Sequence, residues 1–161
     1  MTRYAEKTTV GSEQSRAEIE RTLRRYGADQ FMYGWEAQQA IVAFRAHDRH
    51  VRFTLPLPDP DAVEFTHTPG RGLLRSEAAQ EEAYEQAVRQ RWRALALVIK
   101  AKLEAVDAGI TEFEDEFLAH ILLPDGTTVG GFMRPQVAKA YRTGLMPPLL
   151  PMLPAAGEGS R

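Results

Sequence analysis

The residues with the richest chemical potential lie between positions 112 and 125. Glu112, Glu114, Asp115 and Glu116 form an acidic run that His120 closes, and Asp125 follows in a "PDG" turn. Glu116 and His120 stand at i,i+4, the spacing that puts two side chains on one helix face. A carboxylate beside an imidazole can hold a divalent ion or move a proton. Glu114, Glu116, His120 and Asp125 are therefore the candidate catalytic residues of a small metal-dependent hydrolase or nuclease. The competing explanation is electrostatic, since acids suit the first turn of a helix and a histidine its last. No further ligands stand at a recognisable metal spacing, so the sequence calls for neither a resident metal nor a cofactor.

Two other groups invite chemistry. "HDRH", His47 to His50, has the composition of a metal or acid–base site, but alternation places His47 and Asp48 in a hairpin loop and His50 already in a strand. His67 stands alone in a long loop. The second group is basic: Arg45, Arg49, His50 and Arg52 cluster on one face or rim of the expected sheet, where arginines could meet phosphates. That face lacks stacking platforms, because Phe31, Tyr33, Trp35, Phe44 and Phe53 all fall on the opposite one. Enzyme signatures of other kinds are missing. There is no glycine-rich phosphate loop after a strand, no serine-centred nucleophile elbow and no cysteine at all.

Composition narrows the classes further. The 161 residues suit one domain with a continuous core, and 43% hydrophobic against 26% charged residues is an ordinary globular balance. A formal net charge of -2 supplies no global field for a polyanion, so any nucleic-acid surface must be local. The start "MTRYAEKTTV" has no apolar signal core, and no apolar run is long enough to span a membrane. A cytoplasmic protein is the expectation.

The elements that would position these groups follow from periodicity. "SRAEIERTLRRYGA" has Ser15 and Glu18 at capping-box spacing, then Ile19, Leu23 and Tyr26 on one face, which predicts a helix over about 12–26. Alternation in "QFMYGWEAQQAIVAFRAHDRHVRFTLPLP" predicts three strands, with Tyr33 opposite Val42, Phe44 opposite Val51, and Arg45 opposite His50. The loop 55–72 is rich in proline and long enough to imply either function or mobility.

A long helix is expected from Ser76 to about Asp107. Its stripe Val88, Trp92, Leu95, Ile99, Leu103 and Val106 would pack on the sheet. A second stripe, Ala94, Leu97, Val98, Ala101 and Ala105, implies a further element on the helix's other side. A short helix over Thr111–His120 and a last helix, with Pro135 in its first turn and Gly144 after its end, complete the chain. The expected fold is α+β: a helix, a three-stranded antiparallel meander, a long central helix packed on the sheet, and a C-terminal helical cap with a short β-turn segment. One domain spans 1–161, with its core at about 12–145 and tails at 1–11 and 147–161.

The order helix, three antiparallel strands, helix is also that of the double-stranded-RNA-binding domain. That domain grips phosphates with a basic start to its second helix. Here the start is "SEAAQEEAYEQ", with Glu77, Glu81, Glu82 and Glu85, so only the topology is comparable. Taken together, "SRAEIERTLRRYGA", "VRFTLPLP", "RQRWRALALVIKAKLEAV", "FEDEFLAHILLPDG" and "MPPLLP" resemble a family of uncharacterised small proteins encoded by bacteriophages and prophages. The resemblance implies a mobile-element product in a bacterial cytoplasm and carries over no functional residues. The expected function is a non-enzymatic phage accessory protein that binds nucleic acid or a host or phage protein of the DNA-processing or defence machinery. The alternative is the metal-dependent hydrolase or nuclease of the acidic segment 112–125.

Overall fold

A computed structural model describes residues 3–36 and 38–146, with side chains from residue 12 onward. The expected tail 147–161 lies outside the described residues. Along the chain run α1 (Arg3–Arg25), β1 (Gln30–Glu36), β2 (Gln39–Ala46), β3 (Arg49–Pro56), α2 (Val63–Thr66), α3 (Glu77–Asp107), α4 (Phe113–Phe117) with a 3-10 turn (Leu118–His120), and α5 (Val129–Thr143). This is the expected α+β order.

The sheet is an antiparallel meander in the order β1-β2-β3. Tyr33 pairs with Val42, Phe44 with Val51 and Arg45 with His50. Because side chains alternate between faces, this register puts Ala40, Val42, Phe44, Val51 and Phe53 together in the buried core. Trp35 shares their face by register but lies near the strand end and remains 45% exposed. The turn joining β2 to β3 holds His47 and Asp48 at φ 49° and 58°. A two-residue type I′ turn needs positive φ at both central positions, and asparagine or glycine would supply it more cheaply.

Helices α1 and α3 cover the core face of the sheet. In α1, Ile19 and Leu23 are buried, and so is Ser12, about two turns before Ile19 on the same stripe. The helix begins at Arg3 rather than near residue 12, so the Ser15–Glu18 capping spacing falls inside it. No proline interrupts residues 3–25, and the burial of Ser12 shows packing on α3 extending beyond the apolar stripe that the sequence reveals.

Ser76 caps α3 by accepting from the Ala79 N–H at 3.3 Å, and Gly109 at φ 72° turns the chain away after its end. Val88, Trp92, Ile99 and Leu103 are buried to within a few per cent. The Trp92 ring meets Tyr33 of β1 at 5.4 Å between centroids, and the Arg16 guanidinium lies 4.3 Å from the Tyr33 ring centroid. One sheet aromatic thus contacts a side chain from each of the two helices.

The second stripe of α3 is not covered. Leu97 is 58% exposed, and Ala94, Val98 and Ala101 are exposed with it. The C-terminal segments pack elsewhere: after Gly109 the chain returns to the core, where Phe117 meets Phe44 and Phe53 edge-on at 5.8 and 6.2 Å. Ile121 then bridges Val51 on β3, and the Leu122 N–H donates to the His50 carbonyl at 2.8 Å. Apolar periodicity on two sides of a helix therefore did not mean two packed sides.

The proline-rich loop is ordered by its own contacts. Phe65 of α2 is buried against Tyr84 at 5.7 Å, edge to face, and an isolated bridge joins His67 to Leu74. The Arg75 Nε donates to the His67 carbonyl at 3.0 Å. The last helix also differs from expectation. It starts at Val129, with Thr128 accepting from the Gly131 N–H at 3.0 Å, and Pro135 sits inside it. Gly130 explains the earlier start, since a Cβ there would lie 2.8 Å from the Ala119 carbonyl oxygen, and the bare backbone lets α5 seat on the 3-10 turn.

Trp92 is fully buried at the centre of this arrangement, so Trp92→Ala should cost about 3–5 kcal/mol. The indole Nε1 is buried without a hydrogen-bond partner. Trp92→Phe therefore removes volume but no hydrogen bond and should cost clearly less. Urea unfolding midpoints of the two variants test this; an alanine variant no less stable than a surface substitution would refute the central role of the indole.

Candidate functional site

The acidic segment is built by the reversal at Gly109. Glu112 to Glu116 enter α4 acid-first, and Phe113 and Phe117 anchor that helix in the core. The carboxylates on its surface then find separate partners. Glu116 accepts from the Lys102 ammonium at 2.9 Å, and its carbonyl accepts from the same group at 3.0 Å. Glu114 pairs with Arg49 at the β2–β3 turn. Asp125 folds back on its own turn, accepting from the Thr127 hydroxyl at 2.7 Å and the Thr127 N–H at 2.9 Å. Those two bonds hold its carboxyl below the usual carboxylate range, the side-chain bond first.

His120 is half-buried and stacks on Phe53 with centroids 4.0 Å apart. Its pKa is lowered from the ordinary 6.5, first by burial and then by the neighbouring Lys102 charge; a hydrogen bond to the Arg52 carbonyl opposes both. The four candidate residues thus face a lysine, an arginine, a threonine turn and a phenylalanine. Among the described residues no three His, Cys, Asp or Glu side chains gather to share a metal ion. Lys102 also places a positive charge where a cation would have to sit. The arrangement is suited to pinning α4 against α3 and β3.

The basic residues are equally committed. Arg45 donates to Asp29 through Nε at 3.0 and 3.1 Å and through Nη2 at 2.5 Å, a planar fork on a carboxylate. This pairing holds the Asp29 carboxyl below its ordinary range, the hydrogen bond from Arg45 being the largest cause. Arg49 is taken by Glu114 and by the Asp48 carbonyl at 3.2 Å. His50 and Arg52 make no ion pair among the described residues. Two of the four candidate phosphate contacts are therefore already neutralised. His47 and His50 do not converge either: His47 stacks on Phe113 at 4.5 Å, while His50 faces the other side of the sheet beside Arg45. His67 is held in its loop, its Nδ1 2.8 Å from the Thr66 hydroxyl.

Two features escaped the sequence. Asp29 was legible in principle, because it precedes Gln30, which the register sets opposite Arg45. The other is α5, which contains no buried residue. Its apolar positions were visible, but their exposure depends on where the chain turns. Comparison with family models, curated proteins and solved structures returned no match. No helix among the described residues is long and apolar enough to cross a membrane.

The lowered pKa of His120 has a defined sign. Unfolded, the imidazole titrates near 6.5; folded, it holds its proton less tightly. Between the folded value and 6.5 the unfolded chain binds more protons, so stability falls as pH drops through that window and recovers as pH rises out of it. His120→Phe keeps a ring on Phe53 and removes the titration. Urea midpoints measured from about pH 7.5 down to 5 should fall less steeply for this variant than for the wild type; parallel slopes would contradict the shift.

Proposed function

We propose that the protein is a non-enzymatic accessory protein of a bacteriophage or prophage, working in the bacterial cytoplasm by binding a partner protein of the host or phage DNA-processing or defence machinery. The observation that carries the binding role is α5. This helix of 15 residues is capped at both ends, by Thr128 and by Gly144 at φ 69°, and Val129 packs partly against the core, yet none of its side chains is fully buried. Only its first turn is seated, on the 3-10 turn at Gly130, and a helix of that length is marginal in water without more packing than this. Phe132, Val137 and Tyr141 are exposed along it, Tyr141 by 89%, and Leu145 and Met146 are exposed just beyond. Arg134 and Lys139 join Arg142 to make its charge wholly basic. Exposed aromatic and aliphatic groups framed by cations suit an acidic protein surface with an apolar groove, the mode in which a helix is laid into its partner.

The non-enzymatic part rests on the dispersed carboxylates and on Lys102 at the centre of the acidic segment. The phage assignment rests on the sequence resemblance. A protein partner is preferred over nucleic acid because Arg45 and Arg49 are neutralised by Asp29 and Glu114.

A photo-crosslinking residue placed at Tyr141 should trap one discrete protein in phage-infected cells, and Val137→Glu in the same chain should abolish that product. The same probe at Arg21, on the outer face of α1, should trap none. A product that survives Val137→Glu, or that forms equally from position 21, would overturn the role of α5. Oligonucleotide binding that is lost on Arg52→Glu but not on Val137→Glu would move the function to the sheet.

A further inference from the structure

Beyond α5, a separate feature lies at the other end of the helical layer. A groove of about 560 Å³ opens where α1 ends, between the β2–β3 turn and the last turns of α3. Leu103 and Val106 form an apolar floor, and Arg25, Tyr26, His47 and Asp107 line its sides. This volume is in the range of small-molecule sites, as is the combination of an apolar base with a few convergent polar groups. The groove lined by Gln14, Glu18, Arg89 and Arg93, about 470 Å³, has no such apolar base.

The charged groups here, Arg25 and Asp107, are not used by the fold. Arg25 makes only a cation–π contact with Tyr26, at 5.7 Å from the ring centroid. No ion pair or side-chain hydrogen bond among the described residues engages Arg25, His47 or Asp107. Asp107 stands in the last turn of α3, which contains no basic residue. A negative charge is disfavoured there by the helix dipole, so helix stability does not explain it. His47 occupies a positive-φ turn position for which asparagine or glycine is better suited. One face of its ring is covered by Phe113, which orients the imidazole, and the remainder lines the groove.

We propose that this groove binds a nucleotide whose base carries an exocyclic amine. Val106 gives the base an apolar bed, and the rings of Tyr26 and His47 give it flat walls. Asp107 is an acceptor for the exocyclic amine, which a cytosine or adenine offers and a uracil lacks. Arg25 presents a planar set of donors to the phosphate. The groove is open to solvent, so it admits either a free mononucleotide or the end of a strand.

Cytidine monophosphate, uridine monophosphate, cytidine and a 5′-phosphorylated oligocytidylate, titrated by calorimetry at constant ionic strength, test this. The wild type should bind cytidine monophosphate roughly tenfold more tightly than uridine monophosphate, and more tightly than cytidine. Asp107→Asn should remove the preference for cytosine over uracil, while Arg25→Gln should remove the preference for the phosphorylated ligand. Both side chains are exposed at helix ends, so both variants should fold. Tighter binding by the mononucleotide assigns a free ligand, and tighter binding by the oligomer assigns a strand end. No saturable binding of any of the four, or equal discrimination by wild type and variants, would overturn the assignment. Val137→Glu on α5 should leave all these affinities unchanged, so this site and the protein-binding helix fail or stand independently.

Discussion

A three-stranded sheet has two faces, and this chain has apolar side chains for one. That constraint organises the molecule. The meander's register collects Val42, Phe44, Val51 and Phe53 on a single face, and every packed helix must then arrive from that side. Both α1 and α3 lie there, and α4 fits beside them by inserting Phe113 and Phe117. The opposite face keeps Met32, His50 and Thr54 in solvent, with Arg45 tied down by Asp29. The result is two layers, with Trp92 and Tyr33 in contact at their junction.

What was legible in the sequence is what depends on near neighbours. Strand register followed from alternation because a slip of one residue would have turned Phe44 and Phe53 outward together. The main stripe of α3 was equally clear, since only a helix brings Val88, Trp92, Ile99 and Leu103 to one side. The failures share a different origin. Ala94, Leu97, Val98 and Ala101 have the spacing of a buried face, but burial depends on where Gly109 sends the chain, and periodicity does not encode that. The early start of α1 was hidden because Ser12 is a polar residue buried on the stripe. The last helix was placed with Pro135 in its first turn, whereas it starts at Val129, where Gly130 lets it approach Ala119 closely.

The candidate site was legible as composition and not as arrangement. Glu114, Glu116 and His120 are near one another in sequence, yet each is claimed by a different residue far along the chain: Arg49 of β3, Lys102 of α3 and Phe53 of β3. Such partners are distant along the chain, so spacing within the acidic run carries no information about them. The same reasoning separates Arg45, whose partner could be extrapolated from the strand ladder, from Arg49, whose partner could not. The groove beside His47 draws on α1, a hairpin turn and the end of α3, three places that no linear motif connects.

The joint between Ile121 and Val51 has a consequence for how the molecule assembles. The two hairpins close through tight connections, at little cost in chain entropy, and can form early. The Ile121 bridge joins residues on either side of α3 and the turn at Gly109, so its closure costs far more chain entropy than either hairpin. Opening there would have to draw Phe113 and Phe117 out of the core and would release α4 and α5 together. Their departure would uncover Phe44 and Phe53, two ring faces that the native fold keeps dry.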